Sequence, residues 1–125
     1  MSDLQPKGIK ISLPGVVECE VRFTISVVDE VQDHFDKSVG EVMSDLTDRR
    51  ASYDTLAFLV MALVNNAIRR SKSGGELLTL EEVKDLIDIP MANELVRPVM
   101  RAYGYSLPED DDEGDDPNPK SSRSN

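Results

Sequence analysis

"AFLVMALV", residues Ala57–Val64, is apolar at every position, and its reading decides the fold. A helix lying on a surface shows an apolar stripe of period 3.6, and a half-buried strand alternates; a run that is apolar all round belongs in an interior. The run sits inside a longer helical stretch from about Ser52 to Arg70, and Arg69, Arg70 and Lys72 at its end suit the negative pole of the helix dipole. It is therefore expected to be the central helix against which the other elements pack. With 125 residues, the chain has room for one domain of modest core, because two domains would each fall below the usual size.

Working outward toward the C-terminus, "SKSGG" is expected to break the central helix at Gly74-Gly75. "TLEEVKDLI" opens the next helix, with Thr79 as N-cap and Glu82 three positions on, the spacing of a capping box. Pro90 suits the first turn of a last helix, whose stripe of Met91, Leu95, Val99 and Met100 runs to Tyr103-Gly104. Gly104 is expected there as a left-handed C-cap. Pro98 lies inside the stripe and is expected to kink or weaken it, since it lacks a donor and clashes one turn back.

Toward the N-terminus, Ser26-Val-Val-Asp29 also has capping-box spacing and predicts a helix of about ten residues with Val28, Val31 and Phe35 turned inward. A second short helix is expected across Glu41–Leu46, packing Val42, Met43 and Leu46. Before them, Ile9, Ile11 and Leu13 alternate with Lys10 and Ser12. After Pro14-Gly15 the alternation resumes with Val17, Cys19, Val21, Phe23 and Ile25 against Glu18, Glu20, Arg22 and Thr24. This is a β-hairpin turning at Pro-Gly, and a lone hairpin is stable only if its apolar face covers helices or its edge pairs with another chain. Met1–Lys7 reads as a loose arm. The fold class is thus mainly α with an N-terminal β-hairpin (α+β), a small helical domain over residues 1–107 with no internal repeat.

Residues 108–125 are composed differently. The stretch from Pro108 to Asn125 holds seven acidic and two basic residues; such a run cannot bury enough apolar area to offset chain entropy and is expected to be a disordered acidic tail. It contributes −5 of the net charge of −10, so the other −5 belongs to the body. That balance disfavours nucleic acid and anionic membranes as partners and favours a basic protein surface. The single Cys19 cannot form an internal disulfide. The N-terminal MSDLQPKGIK lacks the layout of a secretion signal, and no apolar run reaches the ~18 residues that span a bilayer. A soluble, cytoplasmic protein is expected.

No residue set with catalytic spacing emerges. His34, the only histidine, stands between Asp33 and Asp36 on an amphipathic helix and reads as a solvated side chain. Cys19 shares the apolar face of Val17 and Val21 and reads as a buried, inert thiol. The carboxylates lie on polar faces, with no buried partner to set one against another. "DDDEGDD" has the composition of a calcium loop but lacks the flanking helices and the Glu at the twelfth position. Gly74-Gly75 is a helix stop, not a phosphate loop, and the basic cluster of Arg69, Arg70 and Lys72 has no interleaved aromatics. The expectation is a non-enzymatic binding protein with no catalytic, cofactor-binding or metal-binding residues and no cofactor.

From Lys10 to Pro108 the order of parts resembles the tail assembly chaperones of long-tailed bacteriophages. The features that carry the resemblance are the hairpin ending in "RFTISVVDEV", the helix "TLAFLVMALVNNAI", the segment "LTLEEVKDLIDI" and the closing "MRAYGYSLPE". The resemblance implies a chaperone that coats the tape-measure protein, keeps its long apolar helices in solution and brings up tail-tube subunits. It also implies self-association into an extended spiral, a place in the host cytoplasm, and absence from the mature virion. Met43, Met61, Met91 and Met100 would supply adaptable apolar contacts where exposed, although core filling is their ordinary use. In this family a fraction of ribosomes slips back one nucleotide near the end of the frame and appends a second domain. The tail permits slippery heptamers at Asn118-Pro119-Lys120 and at Asp116-Pro117-Asn118.

Two other classes fit the composition. An acidic DNA mimic, or inhibitor of a basic DNA-binding protein, would use the same charge, but it places carboxylates on the folded surface, whereas 7 of the 24 acids here lie in the tail. A small structural component of the virion is the other.

Overall fold

The computed structural model describes residues 9–13, 15, 17–48, 51–71 and 75–106. The proposed arm at Met1–Lys7 and the acidic stretch from Pro108 onward lie outside them, as does Gly74 of the proposed helix stop. Two strands, β1 (Ile9–Leu13) and β2 (Val17–Val21), precede five helices: α1 (Ile25–Phe35), α2 (Val39–Thr47), α3 (Tyr53–Ser71), α4 (Leu80–Leu86) and α5 (Ile89–Ser106). The fold is mainly helical with an N-terminal antiparallel hairpin, as the sequence pattern predicts.

The strands pair in the register Ile9↔Val21, Ile11↔Cys19 and Leu13↔Val17, which places the alternating apolar residues on one face. Ile11, Leu13 and Val21 are buried there, while Lys10, Ser12, Glu18 and Glu20 are exposed. Gly15 takes φ +77°, a region that residues with a Cβ seldom enter, and this fits it to the turn.

The strand stops sooner than the alternation does. Ile25, expected on the apolar face, is 81% exposed and opens α1. The N-cap is Thr24, whose hydroxyl accepts from the Val27 N–H, and not Ser26 as the spacing predicts. The earlier start brings Val27 and Val31, one turn apart, onto the fully buried stripe, leaving Val28 and Phe35 half-buried at its margins. Asp36 closes α1 in the left-handed conformation, φ 56°, with its N–H on the Gln32 carbonyl. The Gln32 side chain in turn accepts from the Val39 N–H and ties α1 to the start of α2. Helix α2 is longer than predicted because Ser38 and Glu41 form a capping box ahead of it; Val42, Met43 and Leu46 are its buried residues, as expected.

Helix α3 is buried without interruption from Leu56 to Ala67. It meets β2, α1, α4 and α5, and α5 lies in turn against β1 and α2, so the hairpin's apolar face is covered by helices at both strands. Helix α4 starts at the predicted capping box of Thr79 and Glu82. Helix α5 departs from expectation at its end: it continues through Gly104 to Ser106, and Gly104 has no positive φ. Ala102 and Tyr103 extend its stripe past Met100 onto the core, Tyr103 meeting the Phe23 ring edge-on at 5.5 Å, and this packing draws the helix past the glycine. Pro98 sits inside the helix without ending it. The carbonyl that its missing N–H leaves free belongs to Glu94, a solvent-facing residue where water can serve as donor. Among the described residues no helix is long and apolar enough to cross a membrane.

Candidate functional site

Of the large hydrophobic residues described, four stand well out into solvent: Ile25, Tyr53, Leu77 and Ile89. Two of these, Tyr53 at 52% and Ile89 at 53% exposure, line one cleft of about 160 Å³. Leu56 and Ala57 from the first turns of α3 line it, together with Ile87 and Ala92 from the α4–α5 junction and the charged Asp54 and Lys84.

Three local devices build this cleft. The first is Asn65, buried on α3, whose carboxamide donates to the Leu78 carbonyl at 2.9 Å and accepts from the Leu78 N–H at 2.8 Å. It pairs with the incoming chain as a neighbouring strand would and so fixes where α4 begins. The second is the capping box at Thr79, which starts α4 three residues before Glu82. The third is Asp88: its carboxylate accepts from the Met91 N–H at 2.9 Å and its carbonyl from the Ala92 N–H, so it caps α5 directly after α4 has ended. Only Ile87 and Asp88 separate the two helices. A junction that short carries three branched residues, Leu86, Ile87 and Ile89, more than it can bury, and Ile89 is left outside.

Two polar ties cross the cleft's margins. Lys84 pairs with Asp54 at 3.4 Å, joining α4 to α3, and the Tyr53 hydroxyl donates to Asn93 Oδ1 at 3.4 Å, joining α3 to α5. Both are exposed, so they orient the rim and contribute little stability. Larger hollows occur elsewhere. One, of about 260 Å³, lies between Phe35 and Ala51 and is bordered by the Lys37–Asp45 ion pair at 3.0 Å; another, of about 310 Å³, lies beside Cys19 and Arg70. Neither is bordered by an exposed large hydrophobic side chain.

The residues singled out in the sequence are scattered. His34 is not merely solvated: its ring stacks on Phe58 with centroids 3.8 Å apart and planes 10° from parallel, and it meets Phe35 edge-on. It thus covers the flank of the core while staying exposed on its other side. Cys19 is half-buried, and its burial pushes the thiol up from its ordinary pKa, an effect the nearby Arg70 charge opposes. Arg70 does more than complement a dipole, since Nε donates to Asn66 Oδ1 at 2.8 Å and Nη2 to the Glu20 carbonyl at 3.2 Å, tying the end of α3 to β2. Arg69 is exposed, and Lys72 lies outside the described residues. Met43 and Met61 are core residues, and Met91 and Met100 are half-buried at its edge. Among the described residues, no three His, Cys, Asp or Glu side chains are grouped to hold a metal ion.

The cleft was not among the features that sequence reasoning isolated, although its signal is present in "LIDIP", where apolar residues crowd a helix stop. No protein-family model matches the chain, and no curated protein or solved structure does either.

Proposed function

We propose that this chain is a non-catalytic tail assembly chaperone of a long-tailed bacteriophage, acting in the host cytoplasm, which binds the tape-measure protein and helps recruit tail-tube subunits. The reading rests on the likeness of element order from Lys10 to Pro108. The observation that supports it on the folded chain is the largely apolar cleft lined by Tyr53 and Ile89, which no described residue covers. A protein that keeps apolar helices in solution needs apolar surface of its own, and Tyr53 and Ile89, each about half exposed, supply some of it here. The test is co-expression with the tape-measure protein from the same phage. The tape-measure protein should stay in the supernatant with the chaperone and sediment without it; sedimentation in both cases overturns the reading.

A second reading, the acidic mimic that inhibits a basic DNA-binding protein, is favoured by one observation. From Glu76 to Glu94 the chain holds six acids and a single base, all of them exposed on the folded surface. Binding to a basic protein that vanishes in high salt, with no effect on tape-measure solubility, would favour this reading over the chaperone.

A further inference from the structure

We infer that helix α4 is a strap that swings off α3 as one unit while the rest of the molecule stays folded, with the carboxamide of Asn65 as its latch. The inference goes beyond the proposed function and holds whether or not the chain is a chaperone.

Little fastens α4. It has seven residues, and Val83 alone among them is buried; a helix below about 12–15 residues is marginal without tertiary packing. Helix α2 is only two residues longer, yet it buries Val42, Met43 and Leu46 and meets both α1 and α5. The hairpin likewise meets both α3 and α5, whereas the main neighbour of α4 is α3. The hydrogen bonds of α4 also close within it. Thr79 and Glu82 cap each other, Val83 N–H donates to the Thr79 carbonyl, and Ile87 N–H donates to the Val83 carbonyl. Beyond it, α5 carries its own cap at Asp88. The helix can therefore leave as a piece without opening its own hydrogen bonds or those of α5.

Two polar ties to α3 are described. The Lys84–Asp54 pair at 3.4 Å is exposed and contributes little. The other is the pair of hydrogen bonds, 2.9 and 2.8 Å, between the buried Asn65 carboxamide and the backbone of Leu78. Asn65 comes directly after the apolar run that ends at Val64. Once released, its carboxamide and the Leu78 backbone exchange each other for water at a modest net loss, which suits a fastening that opens.

These ties also show what opening uncovers. Leu78 is held at Asn65 and Lys84 at Asp54, so the strap runs antiparallel along α3. Asp54, Ala57, Met61 and Asn65 stand three or four positions apart and share one face of that helix. Ala57 lines the cleft together with Lys84 and Ile87, and Met61, buried in the closed molecule, lies between the two fastenings. Opening extends the cleft along α3 past Ala57 to Met61. The strap thus sets how much apolar surface of the core helix the molecule shows.

The experiment is native-state hydrogen exchange on the full chain at urea concentrations below the unfolding transition. The Val83 and Ile87 amides should exchange together, about tenfold or more faster than those of Val60 and Leu63 after correction for intrinsic rates, and with a weaker urea dependence. Asn65→Leu should speed both by about tenfold or more. Thiol labelling separates a departing helix from one that frays in place. In a Cys19→Ser background, Val83→Cys should react faster than Val99→Cys, and with a weaker urea dependence, although Val83 and Val99 are equally buried in the closed molecule. Labelling at position 83 no faster than at position 99 means that α4 leaves only when the whole chain unfolds, or merely frays if its amides exchange fast, and either result overturns the inference. Unchanged exchange in Asn65→Leu overturns the latch. If a cysteine variant fails to fold, the unaltered chain decides: Val83 and Ile87 amides that exchange at the rate of Val60 and Leu63 overturn the strap.

Discussion

Helix α3 and the α4–α5 junction both present runs of apolar residues, yet the fold treats them in opposite ways. From Leu56 to Ala67, α3 is enclosed by β2, α1, α4 and α5. At the junction, Leu86 and Ile87 are half-buried and Ile89 stands in solvent. The difference is one of neighbours: α3 meets β2, α1, α4 and α5, whereas among the described residues no element packs over Ile89 at the junction. An apolar residue at the first place holds the molecule together, and one at the second is available to something else. Substitutions that place the same charge in each region should therefore separate stability from binding.

The largest effect is expected for Leu59→Asp. Leu59 is completely buried, and an unpaired carboxylate there costs several kcal/mol against a total stability of about 5–15 kcal/mol for a domain. Far-UV circular dichroism and a urea titration should show a chain largely unfolded in buffer; a cooperative transition near that of the wild type would mean that α3 is not the core helix.

Next in size is Asn65→Leu. It keeps the branched shape and removes both hydrogen bonds to Leu78, leaving that residue's N–H and C=O without partners at a cost of about 1–3 kcal/mol. The urea midpoint should fall, and the Leu78 amide should exchange its hydrogen faster than in the wild type. A lower midpoint with unchanged exchange at Leu78 would show that Asn65 stabilises α3 by some route other than holding the start of α4. Because Leu78 precedes the cap of α4, this substitution also tests whether the cleft's geometry depends on the core helix.

Patterns that are local in the chain were legible before any coordinates. The hairpin face, the all-apolar character of α3, the Thr79–Glu82 cap and the inward residues of α2 all follow from spacing within a few positions. What spacing misread was decided by packing at a distance. Ser26 and Asp29 have the separation of a capping box, but Thr24 takes the role, because a start at Ile25 lets Val27 and Val31 reach α3's side of the helix. Gly104 has the position of a C-cap, but the contact of Tyr103 with Phe23, eighty positions earlier in the chain, draws α5 onward. The cleft was illegible for the same reason, since Tyr53 and Ile89 come to line one hollow only once α3 and α5 are packed. The cap assignment is open to direct test: Thr24→Ala should cost about 1 kcal/mol, while Ser26→Ala should stay within about 0.5 kcal/mol of the wild type. The reverse order would return the cap to Ser26.

The smallest effect on stability is expected for Ile89→Asp, the counterpart of Leu59→Asp in the other region. Ile89 is the first residue of α5 and about half of it already faces water, so truncating its apolar contact forfeits little. A carboxylate in the first turn of a helix faces the positive end of the dipole, which offsets part of the loss, and repulsion from Asp88 works against that gain. The net change in unfolding free energy should remain within about 0.5 kcal/mol, with the helical spectrum unaltered. If Ile89→Asp destabilises the chain nearly as far as Leu59→Asp does, the junction is part of the core and the contrast between the regions collapses. If stability holds while the tape-measure protein is no longer kept in the supernatant, one isoleucine at the rim contributes to binding what it does not contribute to folding.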